Sequence, residues 1–136
     1  MAGDDDMARI RRRLMAIPDA IRAAMQPALD KSADEMVGMM KGLAPRDEGD
    51  LQASIQKEAG PHDLSRRIVA GGERTTRPVR DGADAEYDYA LAQELGTKEM
   101  PANPFFRPVV RSSRKKVRNR LKRAAAKAVR DNWGSQ

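Results

Sequence analysis

Three groups of side chains in this sequence are of the types that catalysis or metal binding uses. Asp47, Glu48 and Asp50 crowd one polar turn, and a carboxylate pair so placed does acid–base work or holds Mg²⁺. Helix capping accounts for them equally, since Asp47 or Asp50 just ahead of Leu51 stands where an N-cap would. Asp84, Glu86 and Asp88 alternate, so on a strand they share one face, and only a fold that joined them to the first group would make a metal site. The one histidine, His62, lies in a Gly-Pro-His-Asp turn. A single imidazole with no cysteine beside it is a poor ligand set, which makes it an exposed turn residue.

The patterns that would complete an active site are missing from the sequence. There is no Gly-x-Ser-x-Gly elbow, no phosphate-binding Gly-x-x-x-x-Gly-Lys loop and no Gly-x-Gly-x-x-Gly fingerprint. With no cysteine in the chain, disulfides, thiolate metal sites and cysteine nucleophiles are excluded, in keeping with a reducing compartment. The sequence therefore predicts no catalytic residues, no cofactor, no metal and no enzyme.

Charge is the stronger signal. Arg111, Arg114, Lys115, Lys116, Arg118, Arg120, Lys122, Arg123, Lys127 and Arg130 follow one another without a single acid, although the whole chain carries only +6. The rest of the chain is therefore net acidic. Ten like charges along one segment repel, so an anionic partner is expected, either nucleic acid or an acidic protein surface. Base readout and single-strand binding add aromatic or amide side chains, and this segment offers only Asn119, Asn132 and Trp133. Any nucleic-acid contact is thus expected to be non-specific and through phosphates.

These residues need elements to hold them. Apolar side chains recur every three or four positions from Ile10 through Leu14, Ile17, Ile21, Ala24, Ala28, Ser32, Met36 and Met39 to Leu43, the period of a long amphipathic helix. Pro18 and Pro27 remove backbone donors and should kink or split it, and Gly42 with Pro45 ends it. Residues 54–59 and 64–70, parted by Gly60-Pro-His-Asp63, predict a β-hairpin. Residues 71–85 predict a flexible loop; for residues 87–95 the period leaves strand and short helix open, and a strand completing the sheet is favoured. Pro108 suits the first turn of a basic helix over residues 108–132, with an apolar stripe of Val110, Val117, Leu121, Ala124, Ala128 and Val129 and a docking residue in Trp133.

The fold class predicted is α+β: a long N-terminal helix, a small antiparallel β-sheet and a basic C-terminal helix. Residues 1–136 form one domain, with an acidic tail over residues 1–6. Leu, Ile, Val and Phe make up only 22 of the 136 residues, so the core is thin and is expected to be completed by neighbouring copies. The acidic start is unlike a signal peptide, and no apolar run is long enough to span a bilayer. A soluble protein made in the cytosol, with no membrane partner, is expected.

Two stretches carry a family resemblance. Leu43-Ala-Pro-Arg-Asp-Glu-Gly-Asp-Leu-Gln-Ala-Ser-Ile55 resembles the apolar–Ala–Pro–x–x–x–Gly–x–Leu–x–x–Ser–Ile signature of the small neck and tail-completion (head–tail joining) proteins of long-tailed, lambdoid-type bacteriophages. These also occur in prophages and gene transfer agents. Tyr89-Ala-Leu-Ala-Gln-Glu-Leu-Gly-Thr97 and Pro101-Ala-Asn-Pro-Phe-Phe-Arg-Pro108 resemble its second signature, with Leu95 where an aromatic residue is usual. Order, spacing and flanking helices extend the likeness over roughly residues 7–130.

The motif residues have physical tasks. Pro45 and Gly49 shape the turn from helix to sheet, Gly49 through positive φ. Leu51 and Ile55 lie one helical turn apart and seat the segment on the core. Tyr89 and Glu94 precede Gly96 and Thr97, where the chain turns, and Pro104 and Phe105 bring an aromatic anchor. Arg107, between Phe106 and Pro108, is placed to bridge to an acidic neighbour.

The resemblance implies a virion structural protein at the head–tail junction, assembled in the bacterial cytoplasm as a homo-oligomer, with a hexameric ring matching the tail. Its implied partners are the connector or stopper, the tail terminator or tail tube, and packaged DNA passing through. The basic helix would border the channel or clamp an acidic ring. Clamping is favoured, since a channel lined with arginine would retain DNA. The alternative is a small accessory protein that binds nucleic acid non-specifically through the same helix.

Overall fold

The computed structural model describes residues 2–45, 49–78, 82, 84 and 86–134. Asp47 and Glu48, along with much of the expected 71–85 loop, lie outside the described residues.

The N-terminal periodicity becomes two helices, α1 (Ala2–Met15) and α2 (Asp19–Leu43). The break falls at Pro18, whose extended backbone (φ −55°, ψ 146°) caps α2. Pro27 interrupts nothing: it lies inside α2 on the exposed side, as does Ala23, whose carbonyl the missing donor would have met. Water can serve that carbonyl, so the helix continues. Of the acidic tail expected over residues 1–6, Ala2 to Asp6 form the first turns of α1. Asp4 and Asp5 there favour helix by opposing the positive end of its dipole.

After Pro45 comes the short helix α3 (Asp50–Ser54), capped by Gly49 at φ 83°, so the positive φ expected of this glycine is present. The expected hairpin follows as β1 (Gln56–Ala59) and β2 (Arg66–Val69), antiparallel with Gln56 opposite Val69 and Ala59 opposite Arg66.

The next segment departs from expectation. Glu73–Thr75 form a 3-10 turn leading into β3 (Thr76–Pro78), which pairs with β4 (Glu86–Asp88). Part of the expected loop is thus a second two-stranded sheet, separate from β1–β2. Asp88 ties it down by accepting hydrogen bonds from the Thr75 hydroxyl (2.6 Å), the Gly72 amide (3.2 Å) and the Ala90 amide (2.9 Å). The last of these makes Asp88 an N-cap, so the strand expected over residues 87–95 ends there and Tyr89–Leu95 is helix α4.

The C-terminal helix α5 spans Arg107–Val129, with Pro108 in its first turn, and passes into a wider π-type turn over Arg130–Gly134. It packs along α2. The core where these elements meet consists of Met40, Ala44, Leu51, Ile55, Ala90, Phe105 and Val109, with Met36, Val37, Ile68 and Tyr89 against it. Its larger side chains, Phe105, Met40, Ile55, Leu51 and Val109, are almost wholly enclosed, and among the described residues they are few, as the scarcity of large aliphatic residues predicts. In α5 the fully buried valine is Val109 rather than Val110, and Val129 is exposed. Of the expected stripe Val110, Val117, Leu121 and Ala124 are half-buried and Ala128 is buried, and the inner face also takes in Val109 and Ser113.

Candidate partner-binding interface

The second motif is a single structural device that starts and aims α5. A helix begins with backbone N–H groups that have no partner within the helix, and Phe106, the N-cap of α5, offers no side-chain oxygen. Glu94 supplies the missing acceptors from α4. Its Oε1 accepts from the amides of Phe105 (3.1 Å) and Phe106 (2.8 Å), and its Oε2 from Arg107 (3.1 Å). The negative carboxylate also faces the positive end of the α5 dipole.

Closing that contact requires the chain to reverse between residues 94 and 105. Gly96 does so at φ 78°, and a Cβ there would lie 2.7 Å from the Ala102 backbone nitrogen, a contact no other residue tolerates. The Thr97 amide bonds the Met100 carbonyl (2.8 Å), and the Thr97 hydroxyl accepts from the Met100 amide (3.1 Å). The Asn103 amide returns to the Gln93 carbonyl (2.7 Å). Phe105 then inserts into the core and meets Phe106 edge to face, with centroids 6.4 Å apart. Pro104 is exposed and Pro45 half-buried.

From this anchored start α5 runs along α2, and its charges divide by face. Arg120, counted with the basic surface from sequence, is a bridge within the fold: its side chain is only 15% exposed and bonds Ser32 and Glu35, each at 3.0 Å. Lys116 reaches the same carboxylate at 3.3 Å. Arg120 first, with Lys116 adding, holds the Glu35 carboxyl below its usual pKa. Lys127 pairs with Asp131 at 2.9 Å.

Arg111, Arg114, Lys115, Arg118, Lys122, Arg123 and Arg130 are exposed and pair with no acid among the described residues. Four of them, at positions 111, 115, 118 and 122, have the three- and four-residue spacing that puts side chains on one helix face. They form a basic stripe about 16 Å long. Phosphate or carboxylate recognition needs no more than such a row of cations on a rigid rod.

Among the described residues the catalytic candidates do not assemble. Asp50 begins α3 rather than capping it, and its carboxylate accepts from Arg77 at 2.6 Å. Asp88 is occupied by its three donors. His62 lies in the β1–β2 turn but is half-buried rather than exposed, its Nδ1 without a hydrogen-bond partner. Among the described residues no three metal-ligating side chains come together, and no described helix is long and apolar enough to cross a membrane.

Sequence reasoning missed the tie between Glu94 and α5, for which an acid ahead of a Gly-Thr turn and a Pro-rich helix start is the available signal. It also missed the exposed apolar side chains of α1 and α4.

A family model described as "Bacteriophage HK97-gp10, putative tail-component" matches residues 8–96. No curated protein and no solved structure matches the chain. The matched span takes in α2, the Gly49 turn, both sheets and α4 as far as Gly96, and stops short of the basic helix. It covers well over half of the sequence, and the chain belongs to the HK97-gp10-like family of bacteriophage tail components.

Proposed function

We propose that this tail component acts at the head–tail junction, as one subunit of a ring that joins the finished tail to the connector of the DNA-filled head. The carrying observation is the unneutralised stripe of Arg111, Lys115, Arg118 and Lys122 on a helix whose other face is fixed to α2. Family membership supports a virion structural role, and both family-like motifs bear on placing this helix. The stripe clamps an acidic face of an adjoining ring, connector or stopper on one side and tail terminator or tail tube on the other. DNA passes through without being held. Six copies would match the symmetry of the tail.

Electron microscopy of particles assembled without this gene tests the reading. DNA-filled heads beside complete, unattached tails are expected; normal particles, or empty heads alone, overturn it. Joint charge reversal at Arg114, Lys115 and Arg118 should block joining while the free subunit stays folded.

The same stripe favours a second reading, non-specific binding of nucleic acid. That protein would hold generic duplex DNA at moderate salt, and its affinity would fall steeply as salt rises, by roughly one power of the salt concentration per phosphate contacted. Charge reversal would abolish that binding without affecting head–tail joining.

A further inference from the structure

Helix α1 stands away from the rest of the fold, every residue from Gly3 to Arg13 being exposed. Met7, Ile10 and Leu14 recur at the spacing of one helix face, and Met7 and Ile10 are exposed to 58% and 49%. An apolar stripe has no reason to persist on a free helix in water unless something covers it.

Its direction is fixed at the base. The Arg22 guanidinium, with a side chain only 15% exposed, donates to the carbonyls of Leu14 (2.9 Å), Met15 (3.0 Å) and Ile17 (3.1 Å). This caps the end of α1 and ties it to α2 across the break at Pro18.

Elsewhere lies a matching recess. A groove of about 410 Å³ is lined by Ile68, Ala90, Leu91, Leu95, Phe106 and Arg107, and Leu91 and Leu95 are more than half exposed. Arg107 is exposed, its backbone amide engaged by Glu94 and its side chain without an acid partner among the described residues, and Arg111 follows one turn later. The tip of α1 carries the complementary charge in Asp4 and Asp5, which have no cation partner among the described residues.

We infer that α1 of one copy lies in the Leu91–Leu95 groove of the next, with Met7, Ile10 and Leu14 against Leu91, Leu95 and Phe106, and Asp4 and Asp5 against Arg107 and Arg111. Every residue of α1 from Gly3 to Arg13 is exposed and no residue of α1 lines the groove of its own chain, so the occupant is a second copy. An arm-to-groove contact is head-to-tail and closes a ring when its rotation permits. The inference rests on the proposed ring and names the contact that builds it.

The absence of native cysteine makes disulfide trapping clean. A chain carrying Ile10→Cys is mixed with one carrying Leu91→Cys and mildly oxidised, as purified protein and in assembled particles. A covalent dimer of the two different chains is expected, as is a ladder of multimers from the double variant. A chain carrying Met39→Cys with Leu91→Cys should give no ladder. Ile10→Asp should weaken self-association at least tenfold with an unchanged circular dichroism spectrum, because Ile10 contributes nothing to the core. Arg107→Glu should weaken it several-fold, and Asp4→Lys with Asp5→Lys should restore it. A disulfide within single chains only would show the arm folded on its own body and overturn the inference. Absence of cross-links from chains that still associate overturns the arm and leaves the ring standing. Chains that stay single in solution and give no cross-link in particles overturn both.

Discussion

Replacing Glu94 tests whether the second motif exists to start α5. Its carboxylate accepts three backbone amides at 2.8–3.1 Å. A hydrogen bond to a charged group contributes about 1.5–3 kcal/mol and a helix-end charge about 0.3–1 kcal/mol. The three bonds share one carboxylate and are not additive. Glu94→Gln keeps one acceptor oxygen but turns an NH₂ toward the third amide and removes the charge, so a loss of about 1–2 kcal/mol is expected. Glu94→Ala leaves all three amides without this acceptor, and a loss of about 2–4 kcal/mol is expected. For a chain of this length 1 kcal/mol moves the melting temperature by about 4 °C. Circular dichroism melts should therefore place the glutamine variant roughly 4–8 °C and the alanine variant roughly 8–16 °C below the parent. Hydrogen exchange should accelerate at the amides of residues 105–107 before it does in the middle of α5. Melts within about 1 °C of the parent for both variants, or unchanged exchange at those amides, would refute the capping role.

Gly96→Ala places a Cβ 2.7 Å from the Ala102 nitrogen at a positive φ and should cost about 1–3 kcal/mol, read as a fall in the urea midpoint with an unchanged slope. A double-mutant cycle on Glu35→Gln and Arg120→Met should give a favourable coupling energy, since each single change strands the other partner of a 3.0 Å pair; additive effects would rule out the bridge. Arg66 above all holds the Asp30 carboxyl below its ordinary 3.8, and Arg120 does the same to Glu35 against an ordinary 4.5. A depressed carboxylate contributes its stability in full above the ordinary value and loses it as pH falls through the lower folded one. Urea midpoints should thus be level from neutral pH to about 5 and fall below about 4, with a shallower fall in Asp30→Asn/Glu35→Gln. An equal fall in that variant would assign acid lability to other groups.

The elements legible in the sequence were those whose signal is local. The helix period from Ile10 to Leu43, the break at Pro18, the Gly-Pro turn between β1 and β2, and the proline that opens α5 each act within a few residues, and each stands in the structure. The strand expected at Tyr89 failed because short apolar runs do not distinguish strand from helix by period. Asp88 ahead of Tyr-Ala-Leu-Ala-Gln-Glu-Leu was the capping signal that would have decided it. The 73–78 turn and strand were hidden because their stability comes from Asp88, 10–15 residues away, rather than from their own composition. Arg120 was illegible for the same reason: in sequence it is one of ten cations, and only the register of α5 on α2 brings it to Glu35.

That register also explains how a chain of modest net charge presents one strongly basic face. All four acids of α2 are within ion-pair distance of a cation: Asp19 with Arg22, Asp30 with Arg66 and Lys57, Asp34 with Lys57, and Glu35 with Arg120 and Lys116. Glu94 and Asp88 are committed to backbone and hydroxyl donors. Apart from Asp19, which is fully exposed beside Arg22 on the same helix, these acids tie one element to another, as a thin core requires when apolar burial alone holds few elements in place. Helix α5 has no acid before Asp131 with which to balance its outer face, and neutralising Lys116 and Arg120 from the inner side leaves that face untouched. The exposed row of cations is therefore a consequence of where the carboxylates are spent. An added acid at Ser112 or Asn119, beside the stripe, would weaken its partner contact without disturbing a single interior pair. Measured as loss of head–tail joining in a subunit of unchanged melting temperature, that separation would tie the stripe to assembly rather than to folding.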